Sequence, residues 1–210
     1  MIDVDQQIKD VRRTVGSRTI DARPARVVTI SRAYDTSVED LWECCTDAER
    51  LPRWFLPVSG ELRVGGRYQL EGNAGGEVLE CDPPRRFLAT WEFDGNVSWI
   101  EVRFEVEPGG GARFTLEHTA HVAEHWEQFG PGAVGIGWEL GVIGLGLHVA
   151  TGESVDPAAF QAWTVSPEGL RLMAGSGAAW GEADIAGGED PEVAHASAAR
   201  TIAAYTTLPE

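Results

Sequence analysis

The sequence predicts an α+β fold in which a curved seven-stranded antiparallel sheet wraps around one long C-terminal helix, with extra helices at both chain ends. Three observations predict it. Residues 60–121 run as short alternating segments split by turn residues, residues 132–151 carry one unbroken apolar stripe, and residues 26–35 are a β-branched run placed just before a capped helix. A twisted sheet curls, and the apolar stripe of a long helix is buried most simply in the concave face.

Taken in order, residues 2–15 place Val4, Ile8, Val11 and Val15 on one helical stripe with Gly16 as a stop, predicting an amphipathic N-terminal helix. RVVTISRAYD (26–35) reads as a strand. Thr36 or Ser37, with Glu39 and Asp40, then opens a helix through SVEDLWECC, and a second short helix through AERLPRWF is cut by Pro52. Six strands follow: GELRV, RYQLEG, GEVLEC, RFLATWEF, SWIEVRFEVE and ARFTLEHTAH. Their links at Gly65-Gly66, Asn73 to Gly76, Pro83-Pro84, Gly95-Asn96 and Gly109 to Gly111 are short enough to imply an antiparallel meander.

In 132–151, Val134, Trp138, Val142, Leu145 and Val149 form the stripe of a helix long enough to lie across a sheet. From residue 153 the composition turns rich in Ala, Gly and acid. Ser166-Pro167-Glu168 and Asp190-Pro191-Glu192 each set a capping residue before an N1 proline, predicting two or three short helices that turn Phe160, Trp163, Leu170, Met173, Trp180, Ile202 and Tyr205 inward. The expected organisation is an N-terminal helix and connector (1–25), a central domain (26–152) and a helical extension (153–210).

Charge narrows the function classes. Seventeen Lys plus Arg against thirty-three Asp plus Glu leave a net charge of −16, a field that repels nucleic acid and anionic membranes. Only three cysteines occur, two of them adjacent, which fits a reducing cytoplasm better than a disulfide framework. MIDVDQQ lacks the basic and apolar regions of a secretory signal. The 132–151 stretch has the length of a bilayer span, yet six glycines dilute it and no Lys or Arg flanks it, so a buried helix is expected.

The runs WECCTDAERLPRWF, LRVGGRYQLEG, GEVLECDPPRRFLATWEF, RFTLEHT and GIGWELGVIGLGLHVATG appear in that order across residues 26–152. In them the chain resembles the START-related (SRPBCC) superfamily of helix-grip domains. Within it, the chain is most similar to the branch named after the activator of heat-shock-protein-90 ATPase, often grouped with polyketide cyclases. The signals are Trp42, Trp54, Gly65-Gly66, Pro83-Pro84, Trp91, His118 and Gly137-Trp138. The resemblance implies a curved antiparallel sheet gripping a long helix over an apolar cavity. It implies no single activity, because fold and function are separable. The eukaryotic co-chaperone of that branch carries a further N-terminal domain, for which this chain has no room.

Candidate chemistry is sparse. HTAHVAEH sets His118, His121 and His125 at metal-like spacing, but a strand running through 121 points His118 and His121 to opposite faces, so no metal site is expected. His118 shares parity with Phe114 and Leu116, as a bonded core histidine or a polar handle in a cavity would. GPGAVG (130–135) has the letters of a dinucleotide fingerprint without the βαβ context, Cys44-Cys45 lacks a nearby base, and no G-x-S-x-G occurs. Gly137, Gly141 and Gly144 share one helix face, which fits either close packing or clearance for a ligand.

The expected function is binding of a small hydrophobic, neutral molecule between sheet and helix, with no cofactor and no assigned catalytic residue. Trp54, Tyr68, Trp91, Trp99, Leu116, His118, Trp138, Val142 and Leu145 are the lining candidates, with Tyr68 and His118 as polar anchors. A cyclase or aromatase and a chaperone-ATPase cofactor are the alternatives. Self-association as a homodimer is left open.

Overall fold

The computed structural model describes residues 2–207 and has the α+β helix-grip architecture: one antiparallel sheet, one long helix and additional helices. In chain order the elements are α1 (Val4–Asp10), β1 (Arg12–Ile20), β2 (Arg23–Tyr34), α2 (Val38–Thr46), a 3-10 turn (Leu51–Arg53), β3 (Val58–Gly60), β4 (Arg67–Leu70), β5 (Gly75–Asp82) and β6 (Arg86–Phe93). They continue with β7 (Asn96–Val106), β8 (Ala112–His121), α3 (Glu124–Phe129), α4 (Gly132–Thr151), α5 (Pro157–Thr164), α6 (Pro167–Ala186) and α7 (Pro191–Thr206). The sheet has eight strands in the order β1-β2-β8-β7-β6-β5-β4-β3.

The eighth strand comes from the segment expected to be helical. The N-terminal helix stops at Asp10, and Val11 and Val15 are buried beside and within β1. Two valines four residues apart satisfy a helix stripe and a strand face equally, and Gly16 lies inside the strand instead of ending a helix. β1 turns into β2 through Asp21 and Ala22, both at positive φ, the backbone of a two-residue hairpin loop. A second correction concerns GELRV. The strand is Val58–Gly60, before it, and Leu62 and Val64 are exposed in the following loop. The C-terminal helices are also longer than expected, 20 residues in α6 and 16 in α7.

The chain divides into two compact units, Met1–Ile30 with His121–Leu140 and Asp156–Glu210, and Ser31–Ala120 with Gly141–Val155. β2 and α4 each run from one unit into the other. In the first unit α6 is central. Its Trp180 is fully buried and lies directly on Gly135 of α4, where a Cβ would collide with the indole. Gly181 of α6 sits so close to Ala198 of α7 that an added Cβ would lie 3.0 Å from the alanine methyl, so small residues set the helix spacing. Ser166 and Asp190 cap α6 and α7 as their sequence predicts, accepting from the amides of Gly169 and of Glu192 and Val193.

In the second unit Ser37 caps α2 by accepting from the Asp40 amide, and α2 buries Leu41 and Cys44. Trp42 packs edge-on against Phe87 and Phe104, with ring centroids 6.2 and 5.5 Å away. The second half of α4 is held from below by β2: the Val142 carbonyl accepts from the Tyr34 hydroxyl at 2.8 Å and from Arg32 Nη1 at 3.2 Å.

α4 is long and apolar enough to cross a bilayer by length and composition. It carries two ionisable side chains, Glu139 and His148, and both are buried and bonded within the fold.

Candidate functional site

Register decides which side chains meet on the sheet. β6 and β7 pair Phe87 with Val102, Ala89 with Ile100 and Trp91 with Ser98, and β7 and β8 pair Ile100 with His118, Val102 with Leu116 and Phe104 with Phe114. These alternate positions form one face of the second unit. Toward β8 that face is closed: Ile100, Val102, Phe104, Phe114 and Leu116 are buried. Toward β4 it is uneven: Tyr68, Val78, Phe87 and Trp91 are half-buried, while Leu70, Gly76 and Ala89 on the same face are buried.

At the boundary sits a small polar relay. Ser98 Oγ donates to the Trp91 carbonyl at 3.0 Å, and His118 Nε2 lies 2.8 Å from the same Oγ. Because the serine proton is committed to Trp91, His118 must donate from Nε2, which sets its tautomer with the lone pair on Nδ1. Burial pushes the His118 pKa down to about 4, so the ring is neutral at neutral pH. The Trp91 ring stands edge-on to His118, 6.3 Å between centroids.

Tyr68 joins this face by an unusual reach. Its hydroxyl donates to the Thr90 carbonyl at 2.7 Å, crossing β5 at Gly76, with which Tyr68 is paired. A Cβ on Gly76 would collide with that same carbonyl, so glycine is required there. Burial holds the Tyr68 phenol above its ordinary pKa, so it stays a donor.

The other expected lining residues fall elsewhere. Leu116, Val142 and Leu145 are core residues, at most 3% exposed. Trp54 is half-buried, with its indole donating to the Cys44 carbonyl at 2.8 Å and its ring tilted on Phe55. Trp99 pairs with Thr90 and Thr119, which puts it on the opposite sheet face from His118. Trp138 is half-buried in the first unit. The register therefore sets Tyr68, Trp91, Leu116 and His118 on one face and Trp99 on the other.

Sequence reasoning missed Ser98, Gly76 and Arg32. Ser98 had a signal, being the polar member of the parity set Ser98, Ile100, Val102 and Phe104. Arg32 had the same one, sharing parity with Ile30 and Tyr34. Its buried guanidinium lies 5.1 Å from the Tyr34 ring centroid, and Nε has no partner.

The glycine face of α4 resolves toward packing. A Cβ on Gly144 would lie 2.6 Å from the Trp54 carbonyl oxygen, and one on Gly141 would touch Phe55 at 3.8 Å. The loop after the 3-10 turn lies on Gly144, which allows that close approach, while Gly141 makes only ordinary contact and Gly137 is exposed. The adjacent thiols of Cys44 and Cys45 are held in the protonated form. Contrary to the expectation of no nearby base, Arg50 Nη2 lies 2.9 Å from Cys44 Sγ and pulls both pKa values down, but burial outweighs it, pushing Cys44 up to about 11 and Cys45 well above its ordinary value. Among the described residues no group of three His, Cys, Asp or Glu side chains is placed to hold a metal ion.

Residues 35–141 match the family model described as activator of Hsp90 ATPase homolog 1-like protein. The chain belongs to that family. Among solved structures, the crystal structure of CalU16 from Micromonospora echinospora is 36% identical, with 82% of this chain and 97% of that one covered at a TM-score of 0.67. The solution NMR structure of CalU16 gives 36% identity, 84% and 96% coverage and a TM-score of 0.71. DynU16, a protein in the dynemicin biosynthetic locus, shares the fold at 20% identity, with 61% of this chain and 48% of that one covered and a TM-score of 0.54. No match is found among curated proteins. In this activator-homolog-like chain the matched segment contains Tyr68, Trp91, Ser98 and His118 and ends before Val142 and Leu145.

Proposed function

We propose that this activator-homolog-like protein binds a small apolar molecule on the open half of the inner sheet face, against Trp91 and Tyr68. One observation carries the reading: a face that is closed over β7 and β8 leaves aromatic side chains half-buried over β4 to β6. Half-buried aromatics beside a few fixed polar groups are the composition of small-molecule sites. The polar groups here are already bonded, His118 to Ser98 and Tyr68 to the Thr90 carbonyl. Shape and apolar area, more than charge, would select the ligand. A neutral, uncharged molecule suits a neutral imidazole.

A cyclase would need a proton carrier working near neutral pH. A histidine driven down to about 4 is a weak base there, which favours binding over turnover. The reading is of a soluble protein working in a reducing cytoplasm, where its three free cysteines stay reduced.

The test is native mass spectrometry of the freshly purified protein together with titration of an apolar fluorescent probe. The expected result is a stoichiometric probe complex weakened several-fold by Trp91→Ala, since a lost aromatic contact is worth about 0.5–1.5 kcal/mol beyond its area. A folded parent that takes up no probe and carries no co-purifying molecule would remove the proposal.

A further inference from the structure

The first unit holds a separate cavity of about 460 Å³, within the size range of small-molecule sites. Its wall includes Arg26 of β2, Trp126 and Gly130 around α3, Asp184 at the last turn of α6, Glu189 in the following turn and Ser197 of α7. All of them belong to one compact unit.

The charges in this wall are unequally satisfied. Arg26 is fully engaged: Nη2 meets Glu189 Oε2 at 2.6 Å, Nη1 donates to Ser17 Oγ at 3.1 Å, and the guanidinium lies 5.6 Å from the centre of the Trp126 ring. That pairing leaves Glu189 neutralised and Asp184 without a cation of its own. Asp184 is 2% exposed, and its Oδ1 has no hydrogen-bond partner. A buried carboxylate in that condition is unfavourable unless something supplies a donor. Burial pushes its pKa up to about 6, the Arg26 charge pulling it down and the Glu189 charge adding to the rise. Arg18 and Glu127, both exposed and of opposite sign, are the remaining charged side chains of the wall.

The approach to this carboxyl is kept open by a missing side chain. A Cβ on Gly130 would lie 2.8 Å from Ser197 Oγ and 3.7 Å from Asp184 Oδ2, filling the space between them. Ser197, itself part of the wall, spends its own proton on the Ala194 carbonyl at 2.9 Å, so its oxygen is left as an acceptor only. The cavity thus presents two acceptors side by side, one of them anionic, with an indole beside them and no free cation among the wall residues named. A complementary ligand brings donors and positive charge on an apolar body.

We propose that this cavity binds a small organic amine, its ammonium group seated between Asp184 and Ser197 and its apolar body against Trp126. The site is independent of the inner sheet face, and either can fail without the other.

The test uses phenethylamine as probe and 2-phenylethanol as its uncharged counterpart, each titrated into the full-length protein and followed by amide chemical shifts. At pH 8 the amine should shift resonances of α3, the end of α6 and α7, and the alcohol should bind at least tenfold more weakly. Asp184→Asn should abolish the amine complex while the protein stays folded, because the isosteric amide removes a buried, unpartnered charge. Trp126→Ala should weaken it several-fold. At pH 5, below the carboxyl's pKa of about 6, affinity should fall several-fold. Equal binding of amine and alcohol, unchanged amine binding by Asp184→Asn, or no shifts at millimolar amine would each overturn the proposal.

Discussion

Arg13 and Glu139, 126 positions apart, form a two-pronged buried ion pair, with Nε 2.6 Å from Oε1 and Nη2 2.8 Å from Oε2. Their side chains are 7% and 2% exposed. Arg13 Nη1 also donates to the Ile8 and Val11 carbonyls, so one guanidinium ties α1, β1 and the first half of α4 together. This contact is how a helix as apolar as α4 carries a carboxylate inside the fold.

Removing one partner leaves the other charged and buried, which costs about 3–5 kcal/mol. Arg13→Ala and Glu139→Ala should each lower the denaturant midpoint strongly. The double change Arg13→Met with Glu139→Leu should recover most of the loss. A double variant no more stable than either single one would show that the pair is worth more than its apolar replacement.

Two neighbouring glycines of α4 should respond with opposite sign. Gly141→Ala places a methyl in ordinary contact with Phe55 and gains helix propensity, so the melting temperature should hold or rise by the equivalent of about 1 kcal/mol. Gly144→Ala drives a methyl into the Trp54 carbonyl at 2.6 Å, an overpacking cost of about 1–3 kcal/mol that outweighs the gain. Thermal melts of the two variants side by side decide the matter, and equal shifts would mean that the loop at Trp54 moves freely.

His118 should make the fold sensitive to acid. Its pKa is lowered to about 4 in the native state from 6.5 unfolded, so between those values the unfolded chain binds a proton that the native one does not. Stability therefore rises with pH across that window, and the contribution lost on full acidification is roughly 3 kcal/mol. His118→Gln should flatten the slope of stability against pH between 4 and 6.5 in denaturant titrations. An unaltered slope would assign the acid sensitivity to carboxylates.

Deleting residues 153–210 should abolish folding and not merely trim the molecule. The deletion removes Leu172, Met173 and Trp180, all buried, and leaves Gly135 and Ile8 without the helix they pack on. Soluble expression and circular dichroism of the truncated chain test this, and a cooperative melt at the parent temperature would contradict it.

Local chemistry made much of the molecule legible. Helix α4 spans the residues read from its stripe, 132–151, Ser166 and Asp190 cap the helices they were expected to open, and of the two candidates Thr36 and Ser37 it is Ser37 that caps α2. A cap is a bond between a side chain and an amide two or three residues on, so the sequence window contains both partners. The strands from β5 to β8 were legible for a similar reason, since alternation and turn residues are properties of neighbours. Residues 11–20 were not. Val11 and Val15 fit both periods, and Asp21-Ala22 closes a hairpin at positive φ with an alanine that carries no turn signal.

Strand parity by itself placed Tyr68, Leu116 and His118 on the inner side, while the separation of Trp99 from them required the β6–β7–β8 register. What a buried polar group bonds to is a tertiary matter. Ser98 meets His118 across 20 positions, Glu139 meets Arg13 across 126, and Arg26 meets Glu189 across 163 while Asp184 Oδ1 is left without a hydrogen-bond partner. The sequence by itself thus determined the elements and the side of each strand that turns inward, because those depend on contacts a few residues long. Only the tertiary structure decided which polar groups are satisfied and which are left waiting, because that depends on partners brought together by the whole fold.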